Sequence, residues 1–215
     1  MKTLIVTGGT TDPEFAIDYV RRQGFDYFIA ADSGVRFFAQ AGIWPDEVLG
    51  DFDSADPALL GELRARPHIR FHQYRPEKDA VDTELALTLA IEKKSSEIHI
   101  LGGTGTRLDH MLGTVRLPGL AMEQGIPCFL VDAHNRLRLI RSRTVLTREG
   151  QYGDYVSLIP LTTKVTGVTL TGFKYPLQDH TLGGFTSLGI SNEIVEPEAV
   201  VELEDGILIL VESRD

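Results

Sequence analysis

The sequence is short of several things. It has one cysteine, Cys128, among 215 residues, so no internal disulfide can form, and a reducing compartment is expected. It has one tryptophan, Trp44. No run approaches the ~18 consecutive apolar residues that a membrane helix needs, so nothing is expected to span a membrane. The apolar stretch in MKTLIVTGG is too short for a signal peptide and reads as a first strand. Bases are outnumbered, 21 against 31 acids, for a net charge of −10. That argues against nonspecific nucleic-acid binding, which needs a basic surface. It leaves room for a nucleotide that arrives with a metal, and for a cationic small molecule. No repeat or low-complexity segment is present. The expectation is a soluble cytoplasmic protein.

What is present divides in two. Strand and helix patterns alternate from KTLIVTG through CFLVDA. Asp12 and Pro13 read as an N-cap and first helical residue, with Gly24 as the stop. A helix over 109–125 is expected to break near Pro118. Beyond about residue 135 the chain shows short strands separated by glycines and polar turns: RLRLIRS, TVLTR, YVSLIPL, VTGVTL, EIVEP and GILILVE. The fold class is therefore α/β. An N-terminal doubly wound, mostly parallel sheet with helices on both faces (1–134) precedes a small C-terminal antiparallel β-sandwich (135–215).

Ligands of open α/β sheets bind at the carboxyl ends of the strands, and the unusual clusters of the first part fall there. Asp51 and Asp53 point the same way in an extended segment. Asp79 and Asp82, three apart at a helix start, share a face. Together they form a candidate hard-oxygen site for Mg²⁺, although the Asp79/Asp82 pair taken alone reads more often as helix capping. LGGTGTRLDH runs from a strand into a helix, where glycine N–H groups can approach a phosphate. Arg107 can clamp phosphate oxygens. Asp109 is open to three roles: orienting Arg107, binding metal, or capping. His110 reads as a packed or hydrogen-bonded helix residue rather than a base. TGG at 7–9 is a second phosphate or ribose contact. The candidate nucleotide contacts are Gly8, Gly9, Asp32, Ser33, Gly34, Gly103, Thr104 and Arg107. Cys128 reads as inert core.

Four motifs in order, ADSG (31–34), IWPDEVLGDFDS (43–54), EKDAVDTELAL (77–87) and GGTGTRLDHML (102–112), resemble thiamine pyrophosphokinase. GGFTSLGISNEI (183–194) is similar to that family's C-terminal substrate segment. The resemblance covers the whole chain. It implies transfer of a diphosphoryl group from ATP to thiamine, giving thiamine diphosphate and AMP, with Mg²⁺. It implies a homodimer with active sites at the interface and a thiamine-binding, dimer-forming second domain. By position it implies Asp51, Asp53, Asp79 and Asp82 as the metal centre, with Asp53, Asp79, Asp82, Arg107 and Asp109 catalytic. Asp82, Ser191 and Asn192 would meet thiamine, with Phe185 or Tyr175 as the stacking aromatic. The rival readings are a pyrophosphokinase acting on a hydroxymethylpterin, and a non-enzymatic sensor of nucleotide or thiamine diphosphate.

Overall fold

The computed structural model describes residues 1–52, 56–74, 80–105 and 107–215. The chain divides into two compact units, Met1–Ala133 and His134–Asp215.

The first unit holds six parallel strands: β1 (Lys2–Val6), β2 (Tyr27–Ala31), β3 (Glu47–Gly50), β4 (Arg70–Gln73), β5 (Glu97–Leu101) and β6 (Cys128–Val131). Their spatial order is β4-β3-β2-β1-β5-β6. Leu4, Ile5, Ile29, Leu49, Ile98, Ile100, Leu101 and Leu130 are wholly buried. Such near-continuous apolar runs are what a parallel sheet covered on both faces requires. The helices are α1 (Pro13–Gln23), α2 (Val35–Ala41), α3 (Pro57–Arg64), α4 (Asp82–Glu92), α5 (Leu108–Thr114) and α6 (Pro118–Glu123). Right-handed crossovers put α1–α3 on one face and α4 on the other, because the chain returns past β1 after β4. The helix ends follow their local chemistry. Asp12 accepts from the backbone N–H groups of Glu14 and Phe15, and Gly24 closes α1 at φ 62°. The expected break at Pro118 is real: α5 ends at Thr114 and Pro118 opens α6.

The second unit is all β: β7 (Asn135–Ile140), β8 (Thr144–Thr147), β9 (Tyr155–Pro160), β10 (Lys164–Thr171), β11 (Leu177–Gly183), β12 (Glu198–Glu202) and β13 (Leu208–Ser213). An antiparallel set β7-β13-β9 and a four-stranded set β11-β10-β12-β8 share one core, including Val156, Leu158, Val165, Val168, Ala199, Val201, Leu208 and Leu210. This is a small sandwich. Two details differ from the sequence reading. EIVEP is not a strand; it contributes one bridge residue, Ile194, opposite Phe173. The neighbouring strand is EAVVE instead. β11 went unseen because LQDHTLG is exposed along most of its length, so no apolar alternation marks it.

Candidate active site

The chain leaves β1 in one direction to β2 and β3, while β5 and β6 lie on its other side. The strand order therefore reverses between β1 and β5, and a crevice at the carboxyl ends is expected at this switch point. A cavity of about 530 Å³ occupies it. Its lining includes Thr7, Gly8 and Gly9 from the β1 loop, and Gly102, Gly103 and Gly105 from the β5 loop. Thr10, Asp32, Asp51, Asp82, Thr83, Arg107, His110 and Thr114 complete its polar side chains.

Glycine is required here for contact. A Cβ on Gly9 would stand 1.9 Å from the carbonyl oxygen of Gly102, so the two loops touch backbone to backbone. Gly102 itself sits at φ 78°, where side chains are strained. The result is a wall of bare main chain, suited to an anionic ligand. Asp32 also adopts a left-handed conformation, φ 52°, which aspartate tolerates. It opens a single 3-10 turn over Asp32–Gly34.

Arg107 and Asp109 act as a pair. The Arg107 guanidinium donates to both carboxylate oxygens of Asp109, Nε at 3.2 Å and Nη2 at 2.6 Å. That bond, above all, holds the Asp109 carboxyl down at about 2 and raises the Arg107 pKa. Arg107 lines the cavity and Asp109 does not. Of the three roles open to Asp109, the geometry favours orienting the guanidinium.

The other candidate positions sort as follows. Gly8, Gly9, Asp32, Asp51, Asp82, Gly103 and Arg107 converge on the large cavity. Ser33 and Gly34 line a smaller one beside it, and Thr104 lines neither. Asp53 and Asp79, with Glu77 and Lys78, lie outside the described residues. Asp82 is the first residue of α4. His110 is a helix residue of α5 as read, but it is exposed and lines the cavity, so the packed alternative does not hold. Thr114, one turn on, lines the same cavity, so the i, i+4 spacing within LDHMLGT was the available signal.

The cavity's metal-binding groups are carboxylate oxygens, hydroxyls, main-chain groups and the single imidazole of His110, with no sulfur among them. That chemistry fits a hard cation such as Mg²⁺ and not a soft metal. Among the described residues no three His, Cys, Asp or Glu converge enough to hold an ion unaided. Cys128 is buried, and burial pushes its thiol up to about 12, so it is inert.

In the second unit, Asn192 is buried and its side chain is committed. Its Oδ1 accepts from the backbone N–H groups of Tyr175 and Glu193, and its Nδ2 donates to the Tyr175 carbonyl at 2.8 Å. It fixes the segment bearing Tyr175. Ser191 is exposed at φ 57°, with its N–H donating to Ser157 Oγ. Tyr175 and Phe185 are both exposed.

The thiamin pyrophosphokinase catalytic-domain family matches residues 18–130, and that family's vitamin B1 binding domain matches residues 143–208. The chain belongs to the thiamine pyrophosphokinase family. It is similar to the thiamine pyrophosphokinase of Bacillus subtilis (strain 168), at 35% identity over 189 residues, 87% of each chain. A crystal structure of thiamine pyrophosphokinase from B. subtilis superposes with a TM-score of 0.89 at 31% identity, covering 100% of both chains. Yeast thiamin pyrophosphokinase shares the fold of this family at a TM-score of 0.80 and 16% identity, over 99% of this chain and 86% of that one. Among the described residues no helix is long and apolar enough to cross a membrane.

Proposed function

We propose that this protein is a thiamine diphosphokinase, which moves a diphosphoryl group from ATP to the hydroxyethyl oxygen of thiamine and releases AMP. The observation that carries this reading is the switch-point cavity. Three carboxylates, a bare glycine wall and an oriented guanidinium line one space, in a chain whose two segments match both domains of the family.

Diphosphoryl transfer needs in-line positioning and charge neutralisation more than covalent catalysis. The main chain of Gly8–Gly9 and Gly102–Gly105 would hold the triphosphate. Arg107, braced by Asp109, faces the charge that develops as the leaving AMP departs. Asp51 and Asp82, with Asp53 and Asp79, would hold Mg²⁺, which when bound neutralises phosphate charge. The thiamine oxygen forms its bond to the β-phosphorus, and the bond from that phosphorus to the α–β bridging oxygen breaks. AMP keeps the bridging oxygen. The hydroxyl proton passes to a carboxylate. Asp82 is a candidate for that role and equally for a hydrogen bond to the aminopyrimidine. An acidic lining suits the cationic thiazolium.

The second unit would bind thiamine near Ser191, with Asn192 setting the local backbone and Tyr175 or Phe185 stacking. We further infer a homodimer that completes the site. Phe185, Leu188, Ile190 and Val195 are exposed within eleven residues, the kind of apolar surface that partners cover. The lone buried cysteine fits a cytoplasmic setting.

The test is incubation with ATP, Mg²⁺ and thiamine, followed by chromatography. AMP and thiamine diphosphate in equal amounts, lost with EDTA, are expected. ADP with thiamine monophosphate would contradict diphosphoryl transfer. Turnover with a hydroxymethylpterin and not with thiamine would contradict the acceptor.

A further inference from the structure

We propose that the smaller cavity beside the large one is a nucleoside pocket, and that Gln40 in it reads adenine; this rests on the reading of ATP as donor. The cavity is about 170 Å³ and shares Thr7, Gly8 and Gly9 with its neighbour as a common wall. Consecutive residues split between the two spaces. Thr10 and Asp32 line the large cavity, while Thr11 and Ser33 line the small one. The two spaces adjoin along the ridge that this shared wall forms, where Gly8 packs against the Ser33 side chain: a Cβ at Gly8 would meet Ser33 Oγ at 2.3 Å. An elongated ligand that passes along this ridge would have one end in each space.

The two spaces differ in chemistry. The large one carries Asp32, Asp51 and Asp82, and the lining of the small one contains no carboxylate among the described residues. It offers a guanidinium, a carboxamide, an aromatic ring and hydroxyls, from Arg36, Gln40, Phe37, Thr11 and Ser33. Arg36 and Gln40 are four apart on α2 and so share a face. A cationic thiazolium would be repelled by Arg36. A neutral purine suits it, because guanidinium planes stack on aromatic rings. A glutamine amide pairs with both N6 and N7 of adenine, donating to one and accepting from the other. Guanine offers two acceptors on that edge, so one of the pair is lost. The hydroxyls suit a ribose. The reacting phosphates then lie beyond the ridge, among the acids and Arg107.

Direct binding tests this independently of turnover. AMP, ATP, GTP and inorganic triphosphate are titrated by calorimetry, with Mg²⁺, into the wild type, Gln40→Ala and Thr11→Trp. Gln40→Ala should weaken AMP and ATP by about tenfold and narrow the preference for ATP over GTP by a smaller factor, because guanine loses its one remaining bond as well. Thr11→Trp, which fills the cavity, should weaken AMP at least as much. Inorganic triphosphate should bind all three proteins alike. AMP affinity near that of the wild type in both variants would overturn the proposal. So would a parallel loss of inorganic triphosphate, or a wild type that binds no AMP. A protein that binds AMP through Gln40 yet makes no thiamine diphosphate would sink the proposed reaction and leave this pocket standing.

Discussion

Strand β3 carries an acid at its start and another just past its end, and the two are treated in opposite ways. Glu47 is wholly buried. It accepts from Tyr27 Oη at 2.5 Å, Arg70 Nε at 2.8 Å and Lys93 Nζ at 2.8 Å, and it pairs with His72 Nε2 at 2.7 Å. Burial pushes its carboxyl up, but the hydrogen bonds from Lys93, Tyr27, His72 and Arg70 outweigh burial and bring it from 4.5 to about 2. Asp51, four residues on, lines an open cavity with Asp32 and Asp82, and Arg107 is the guanidinium in that lining. One end of the strand neutralises its charge with the protein's own side chains. The other collects like charges around a space. Like charges gathered this way do not stabilise a fold, so the carboxyl end is built for a ligand and the amino end for the fold.

This contrast predicts separable effects. Asp51→Asn should lower turnover by roughly a thousandfold or more and leave thermal unfolding near that of the wild type. Loss of stability instead would erase the contrast. Arg107→Ala should cost about a thousandfold in kcat, since nothing else described in the cavity brings a guanidinium to the leaving phosphate. Asp109→Asn should cost less, about ten- to a hundredfold, because it loosens a group that still carries its charge. Asp109→Glu should recover part of the loss. Equal losses at Arg107 and Asp109 would mean that Asp109 itself touches substrate.

At the amino end, Glu47→Gln should leave kcat unchanged and cost roughly 2–3 kcal/mol in a denaturant titration, since its partners are partly exposed and can rehydrate. The pH dependence follows from the sign of the shift. The carboxyl is held below its ordinary value in the folded state, so its contribution is fully present above about 4.5 and fades as pH falls toward 2. The wild type and Glu47→Gln should therefore converge in stability across that window. Smallest of all, a thiol reagent should leave Cys128 unmodified at neutral pH, since its thiol is buried and protonated.

Much of this was legible in the sequence, for physical reasons. Asp12-Pro13 and Asp56-Pro57 announce α1 and α3, because cap and first-turn chemistry are local. The strands of the first unit are apolar runs bounded by glycine and acid, and their carboxyl ends gathered most of the candidate residues. What stayed hidden depends on the third dimension. β11 is an exposed strand with no apolar face to betray it. Asn192 looks like a ligand contact in sequence, and only the fold shows that its amide also fixes the Tyr175 backbone. His110 is the helix residue it looks like, and only the fold shows that it lines the cavity. Gln40 and Arg36 carry no motif at all.

The central claim is that the carboxyl-end acids serve chemistry while the buried Glu47 serves the fold. The most direct test assays Asp51→Asn and Glu47→Gln side by side, measuring AMP release from ATP with thiamine and Mg²⁺ and unfolding of the same samples. The account predicts a folded, inert Asp51→Asn and an active, less stable Glu47→Gln. A folded Asp51→Asn that releases AMP at the wild-type rate would contradict it.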